Sequence, residues 1–472
     1  MNYKELGFKC GLEIHQQLEG KKLFCNCPTI IRRDEPDFSF DRRLRASAGE
    51  SGKIDVAASY EQQKNKLFTY QGYDDTTCLV EMDEEPPRPI NQDALKSVLQ
   101  VAKMLNCEIV DKIQVMRKTV VDGSNVSGFQ RTALVGMNGW IDVNGKKIRV
   151  ATICLEEEAC QVVKRTKDHD TYNLSRLGIP LLEIATEPDI QNPEECRDAA
   201  AKIGMILRST GACKRGIGSI RQDVNVSIKG GARTEIKGFQ DLKSIPKVIE
   251  NEVKRQSQLV KAGKKLSNEV RKAEPDFTTS HLRPMPGAAR MYPETDIPTI
   301  IPSQKNFEKI EIIDDKIKRF EKNYSLNSDQ AKLAVSYEDK QGVNLENFFK
   351  KYKVEPKVIV EFFTAIPKEI KKRYQLDINP ESVADEILSR LAAKEIAKES
   401  VIEILAEYAK TKKLNFEKFK GVSDEELEKE IKLIVEKNPG APIGALMGIV
   451  MAKFRGKVEG KKVMELLKKH AK

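Results

Sequence analysis

A chain of 472 residues with 40% hydrophobic content is too long for one ordinary core and apolar enough to fold, so several domains are expected. Its net charge of +10 includes 81 lysines and arginines, enough to build a face that binds a polyanion. No run of eighteen apolar residues exists, and the start MNYKELGFKC lacks the apolar core of a signal peptide, so a cytoplasmic protein with no membrane partner is expected.

The first informative segment is Gly11 to Leu18, GLEIHQQL. On a strand Leu12 and Ile14 point one way, while Glu13, His15 and Gln17 point the other. A buried ionised group is costly unless it is paired, protonated or bound to a metal. All nine cysteines lie at or before Cys213, and an odd number in a long chain without a signal fits reduced thiols. Asn91 to Leu105 carries apolar residues at helical spacing. In the β-rich stretch that follows, Asn144-Gly145 between alternating residues predicts a type I′ hairpin over Asp142 to Arg149.

The acidic anomaly then recurs. In ATICLEEE, Ile153 and Leu155 face one side, and Thr152, Cys154 and Glu156 the other; in IPLLEIAT, Glu183 interrupts an apolar run. Three strands each offering a carboxylate suggest one acidic cluster, suited to a divalent cation and the phosphates that accompany it. Pro193 to Ser209 follows the helix-start signal NPEE. In GSIRQDVNVS, Ser219, Arg221, Asp223, Asn225 and Ser227 share one strand face, and TEIKGF places Glu235 and Lys237 together on a neighbouring one. Arg suits phosphate, and Asp or Asn suits metal or ribose. No Walker motif or Rossmann fingerprint appears, so a nucleotide site would be built on sheet.

Near residue 300 the chain changes from sheet-rich to helical and lysine-rich, with SVADEILSRLAAKEIAKESVIEILAEYAK the clearest helical stretch. A further unit starts near Ser423, where SDEELEKEIKLIVEKN carries a capping-box start. The fold class is therefore α+β, with expected domains at 1–302, 303–422 and 423–472. In the last of these, Val458, Val463, Leu466 and Leu467 can face a core, leaving Lys453, Arg455, Lys457, Lys461, Lys462, Lys468 and Lys469 to a polyanion.

Across almost the whole chain GLEIHQQL, KLFCNCP, RKTVVDGSNVSGFQRT, LEEEA, GIPLLEIATEPD, GSIRQDVNVS, RTEIKGFQDL and ARMYPETDIP resemble the GatB/GatE family of tRNA-dependent amidotransferase subunits. The variants RKTVVDGSNVSGFQRT, DDTTCLVEMDEEPP and RPMPGAARMYPETDIP resemble its archaeal GatE branch rather than bacterial GatB. The resemblance implies a cradle-like catalytic domain with a mixed sheet, an all-α domain and a small helical tail that contacts tRNA. It implies conversion of Glu-tRNA(Gln) to Gln-tRNA(Gln), in which ATP first phosphorylates the glutamate side chain and ammonia then displaces phosphate. By the same resemblance Glu13, His15, Glu156 and Glu183 match the family's catalytic cation site, for Mg2+ or another divalent ion. Phosphate or nucleotide roles for Arg221, Asp223, Asn225 and Lys237 rest on strand faces alone. The tail position implies tRNA contacts from Lys453, Arg455, Lys457, Lys461 and Lys462.

Two departures from the family pattern stand out. GatB-type chains commonly hold zinc with a C-x-C and a later C-x-x-C; here Cys25 and Cys27 are present, but the later pair reads CLVE, leaving Cys78 opposite Glu81, and zinc is not expected. GatE chains also usually carry an inserted domain similar to one of bacterial aspartyl-tRNA synthetases, and Lys254 to Arg290 is too short to hold it. No amidase-like site is present, so a partner should supply ammonia: by resemblance to GatE an asparaginase-like GatD, by resemblance to GatB an amidase-type GatA with a small third subunit.

Overall fold

In the computed structural model, strand β1 (Lys9–Gln17) is the axis of a large sheet because its two sides meet opposite surroundings. Leu12 and Ile14 are buried, whereas Glu13 and His15 face a cleft. The structure describes residues 1–46, 52, 54, 56–239, 241–285, 291–303, 310–417, 424–454 and 460–470. The chain divides into two compact units, Met1–Ile310 and Glu311–Lys472. The architecture is α+β.

In the first unit an eleven-stranded sheet is built from β1, β2 (Val115–Thr119), β3 (Phe129–Val143), β4 (Lys146–Glu157), β5 (Pro180–Thr186), β6 (Ile220–Ser227), β7 (Thr234–Lys237), β8 (Glu269–Ala273), β9 (Thr279–Pro284), β10 (Met291–Pro293) and the short strand Glu108–Ile109. The order runs β9-β8-β7-β6-β1-β5-β4-β3-β2-β10, with Glu108–Ile109 on β3, and every pairing is antiparallel except β7 with β8. Helices α1 (Gln92–Met104), α2 (Pro193–Ser209) and α3 (Ser244–Lys261) pack on this sheet. The buried face carries Leu12, Ile14, Ile153, Leu155, Leu182, Ile184, Val224 and Val226. Fully burying each such side chain contributes roughly 1.5–3 kcal/mol. Both helix starts follow the sequence reading: Asn91 accepts from Asp93 and Ala94 N–H groups, and Asn192 accepts from the Glu195 N–H ahead of Pro193. The hairpin also forms as expected, with Asn144 and Gly145 at φ 53° and 82°.

A smaller sheet orders Phe38–Arg42, Leu67–Gly72, His169–Asn173 and Gln161–Arg165, with Phe68, Tyr70 and Tyr172 in its core.

The second unit is helical. Its larger core gathers side chains from Phe320 to Phe416, and a separate cluster joins Leu427, Ile431, Leu446, Val450, Val463 and Leu467. The stretch Ser382 to Lys410 is not one helix: α-helix Ala384–Ala392 ends, Lys394 takes φ 59°, and a second helix runs Val401–Thr411. Periodicity continues across the break, but a left-handed residue cannot propagate a right-handed helix. The capping box at Ser423 and the apolar residue Val458 lie outside the described residues. Among those described, no helix is long and apolar enough to cross a membrane.

One buried charge network fastens the end of the first unit to its sheet. Glu294, just after β10, accepts from Arg117 on β2 and Arg131 on β3 at 2.8 Å each, and Arg131 also pairs with Glu157 on β4. Burial alone would raise the Glu294 carboxyl, but the two guanidinium groups outweigh it and hold its pKa at about 2. A depressed carboxyl contributes stability that is present above its ordinary pKa near 4.5 and is lost as pH falls toward about 2. Glu294→Gln should cost on the order of 3 kcal/mol at pH 7, since it removes the buried carboxylate that both guanidinium groups share and leaves Arg131 only Glu157 and Arg117 only Asp296. Urea titrations at descending pH should show the gap between wild type and variant narrowing below about pH 4.5; a constant gap would refute this assignment.

Candidate functional site

Antiparallel register carries the polar face of β1 sideways across the sheet. His15 sits beside Arg221 on β6 and Glu183 on β5, and Glu183 sits beside Cys154 on β4. Glu13 pairs with Asp223; Glu156, two residues beyond Cys154, pairs with Leu181 and with Thr132 on β3. Because side chains alternate with period two, all these groups project from the same face. Glu13, His15, Glu156, Glu183, Arg221 and Asp223 line a cleft of about 550 Å³ with Lys118, Gln130, Glu158, Arg233, Glu235, Lys237 and Arg283.

The four expected cluster residues come together, but as two overlapping sets. His15 Nε2 lies 3.4 Å from Glu13 Oε1 and 3.3 Å from Glu183 Oε2. Glu13, His15 and Asp223 form one set of potential ligand atoms within 4.8 Å of one another, and His15, Glu156 and Glu183 form a second. Asp223, read from its strand face as suited to metal or ribose, stands with Glu13 in the first set. Carboxylates with one imidazole are a donor set that fits a divalent cation.

Lysines stand against both sets. Lys118 Nζ donates to Glu156 Oε1 at 2.5 Å and lies 3.9 Å from Glu183 Oε2; Thr132 Oγ1 donates to the same Glu156 oxygen at 2.7 Å, and Gln130 Nε2 to the other at 3.1 Å. Across the cleft Lys237 Nζ pairs with Asp223 Oδ2 at 2.5 Å and Glu235 Oε1 at 2.6 Å. Arg221 donates to both oxygens of buried Glu158 at 2.8 Å while its side chain stays 43% exposed. Asn225, read from its strand face as suited to metal or ribose, accepts from the Arg233 guanidinium at 2.9 Å and is not among the residues that line the cleft.

Crowding of acids shifts their proton affinities apart. Burial and the Glu183 charge push Glu13 up to about 7. Burial and Glu183 also raise Glu156. Burial would raise Glu183 too, yet its hydrogen bond to His15 and the Lys118 charge hold it well below the carboxylate range. For His15, burial disfavours the charged ring, but Glu183 and Glu13 outweigh burial and raise its pKa. Neighbouring carboxyls with opposed shifts are a hallmark of sites that handle charge.

Sequence reasoning missed Lys118, Gln130, Thr132, Glu158, Arg233 and Arg283. Lys118 lies in RKTVV, where nothing local distinguishes it from a solvated lysine; only the pairing of β2 with β3 brings it to Glu156.

The cysteines form a second constellation. Cys25, Cys27, Cys78 and Glu81 offer ligand atoms within 4.8 Å of one another, so Cys78, which has no close partner in sequence, acquires three in the fold. Glu81 accepts from the Cys25 and Cys78 thiols at 3.0 Å each and from the Cys78 N–H at 2.9 Å. Lys22, fully buried, completes the set at 2.9 Å and also donates to the Thr76 and Leu174 carbonyls.

In the tail, Val463 and Leu467 are buried and Leu466 packs beside them. Lys453 pairs with Glu430, and Lys469 with Glu428, both remaining largely exposed. Lys462 is half-buried, Arg455 and Lys457 lie outside the described residues, and so does the side chain of Lys461.

Residues 8–308, which contain the whole cleft, match the family model described as the GatB/GatE catalytic domain, and residues 345–470 match a GatB domain model. The chain belongs to the GatB/GatE family. Similar GatB/GatE proteins are the glutamyl-tRNA(Gln) amidotransferase E subunits of Methanocaldococcus jannaschii and Archaeoglobus fulgidus, each 37% identical. The first alignment covers 100% of this chain and 99% of the relative, the second 99% and 98%. The first extends over 630 positions against the 472 residues of this GatB/GatE chain, so the relative carries positions that this chain lacks, in keeping with a missing inserted domain.

Proposed function

We propose that this chain is the transamidating subunit that converts Glu-tRNA(Gln) to Gln-tRNA(Gln), using ATP, a divalent cation such as Mg2+, and ammonia from a partner. The observation that carries this reading is the single sheet face on which Glu13, His15, Glu156, Glu183 and Asp223 converge, flanked by Lys118, Lys237 and Arg221. A carboxylate resists attack by ammonia, so activation through a γ-glutamyl phosphate is the chemistry such a site suits. A divalent cation bound there would neutralise phosphate oxygens during phosphoryl transfer. Glu13 and Asp223 on one side, and Glu156 and Glu183 on the other, would hold it, with His15 shared. Arg221, Lys237 and Arg233 line the same cleft and supply positive charge against which a triphosphate and the acyl phosphate would be held. Likeness to archaeal E subunits favours the GatE branch, and hence an asparaginase-like GatD partner over an amidase-type GatA with a third subunit.

Glu156→Gln should lower Glu-tRNA-dependent ATP hydrolysis about a hundredfold or more, with little loss of tRNA affinity. Equal loss of both would count against a chemical role for Glu156.

The tail is proposed to bind tRNA phosphates through its exposed lysines. Deleting residues from Ser423 onward should raise KM for Glu-tRNA(Gln) far more than it lowers kcat, and flatten the salt dependence of binding. Unchanged tRNA affinity of the truncated protein at low and moderate salt would remove the tail from the interface.

The cysteine constellation is proposed to need no zinc. Glu81 already accepts from an ammonium, two thiols and a backbone N–H, which engages both of its oxygens without a metal. Elemental analysis should find no stoichiometric zinc; one zinc per chain, lost in Cys25→Ser, would reverse this.

A further inference from the structure

The two cation sets leave one neighbouring group without a role. Lys118 is a lysine on β2 whose side chain is only 10% exposed, and it reaches across β3 to stand between Glu156 and Glu183. Those two carboxylates and His15 are the members of one potential ligand set. An ion drawn to these three residues would lie within a few ångströms of the Lys118 ammonium, and two cations that close repel. We propose that Lys118 is a latch on this cation site: its ammonium holds Glu156 and Glu183 while no divalent ion is bound, and must swing away when one enters. The proposal rests on the cation reading above.

Three observations favour a movable latch over a fixed structural ion pair. Glu156 keeps two other donors, Thr132 and Gln130, and so stays oriented when the ammonium leaves. The lysine stem is flexible and ends in a compact charge. Lys118 also lines the cleft of about 550 Å³ in which Glu156 and Glu183 stand, so the ammonium has somewhere to go. Phosphate oxygens in that cleft are the natural receiver of the displaced charge, which makes cation entry and phosphate binding mutually supporting. Lys118 is therefore a positioning residue whose effect is read in cation affinity before any chemistry occurs.

The test measures Mn2+ binding, without nucleotide or tRNA, to the full-length wild type, Lys118→Met and Lys118→Gln, following the free-ion resonance signal. Gln retains a hydrogen-bond donor toward Glu156 without the charge. Both variants should bind Mn2+ about tenfold or more tightly than wild type, because a competing cation has been removed. A structural role alone would leave affinity unchanged or weaken it, and either result would overturn the latch while leaving the cation reading intact. Failure of all three proteins to bind Mn2+ would overturn both together. Unfolding of both variants would also overturn it, since a group that has to leave cannot be the one holding the fold.

Discussion

The register of β1 against β5 and β6 is the constraint from which the rest of the structure follows. One offset sets Glu13 beside Asp223 and His15 between Arg221 and Glu183, and the same offset turns Leu12 and Ile14 toward the core. The two sides fix each other. Burial of the aliphatic side makes slippage costly, because a shift by one residue would send the whole charged set into the interior. The hydrophobic core thus serves as the device that aligns the chemistry.

Concentrating this many carboxyls on one face is unfavourable unless each finds positive charge. Lys118, Lys237, Arg221 and His15 supply it from four different strands, so the site is near balance before any ligand arrives. Such a site can accept a cation only by releasing a proton or relocating an ammonium.

The legible part of the fold was local. The β1 alternation, the Asn144-Gly145 turn and the two Asn-capped helices are written in neighbouring residues, and their elements appear where expected. Glu13, His15, Glu156 and Glu183 were visible because a charge in an apolar strand is an anomaly anyone can see. Lys118 was not, since it is ordinary in its own segment and becomes unusual only through strand pairing. Periodicity likewise overran the break at Lys394, because apolar spacing records which face is buried and not whether the backbone is continuous.

Glu156 and Glu157 are adjacent in sequence yet serve opposite faces of the sheet, one toward the cleft and the other toward Arg131 and the Glu294 network. Inserting or deleting a single residue within β4 would exchange their duties, placing the wrong carboxylate in each charge network and moving the aliphatic residues beside them. This stretch of β4 is therefore closed to changes in length, whatever substitutions it tolerates. Differences in size among related chains, such as the 630 aligned positions against 472 residues here, have to be absorbed in the connections, where a gain or loss of residues leaves the parity of every strand untouched.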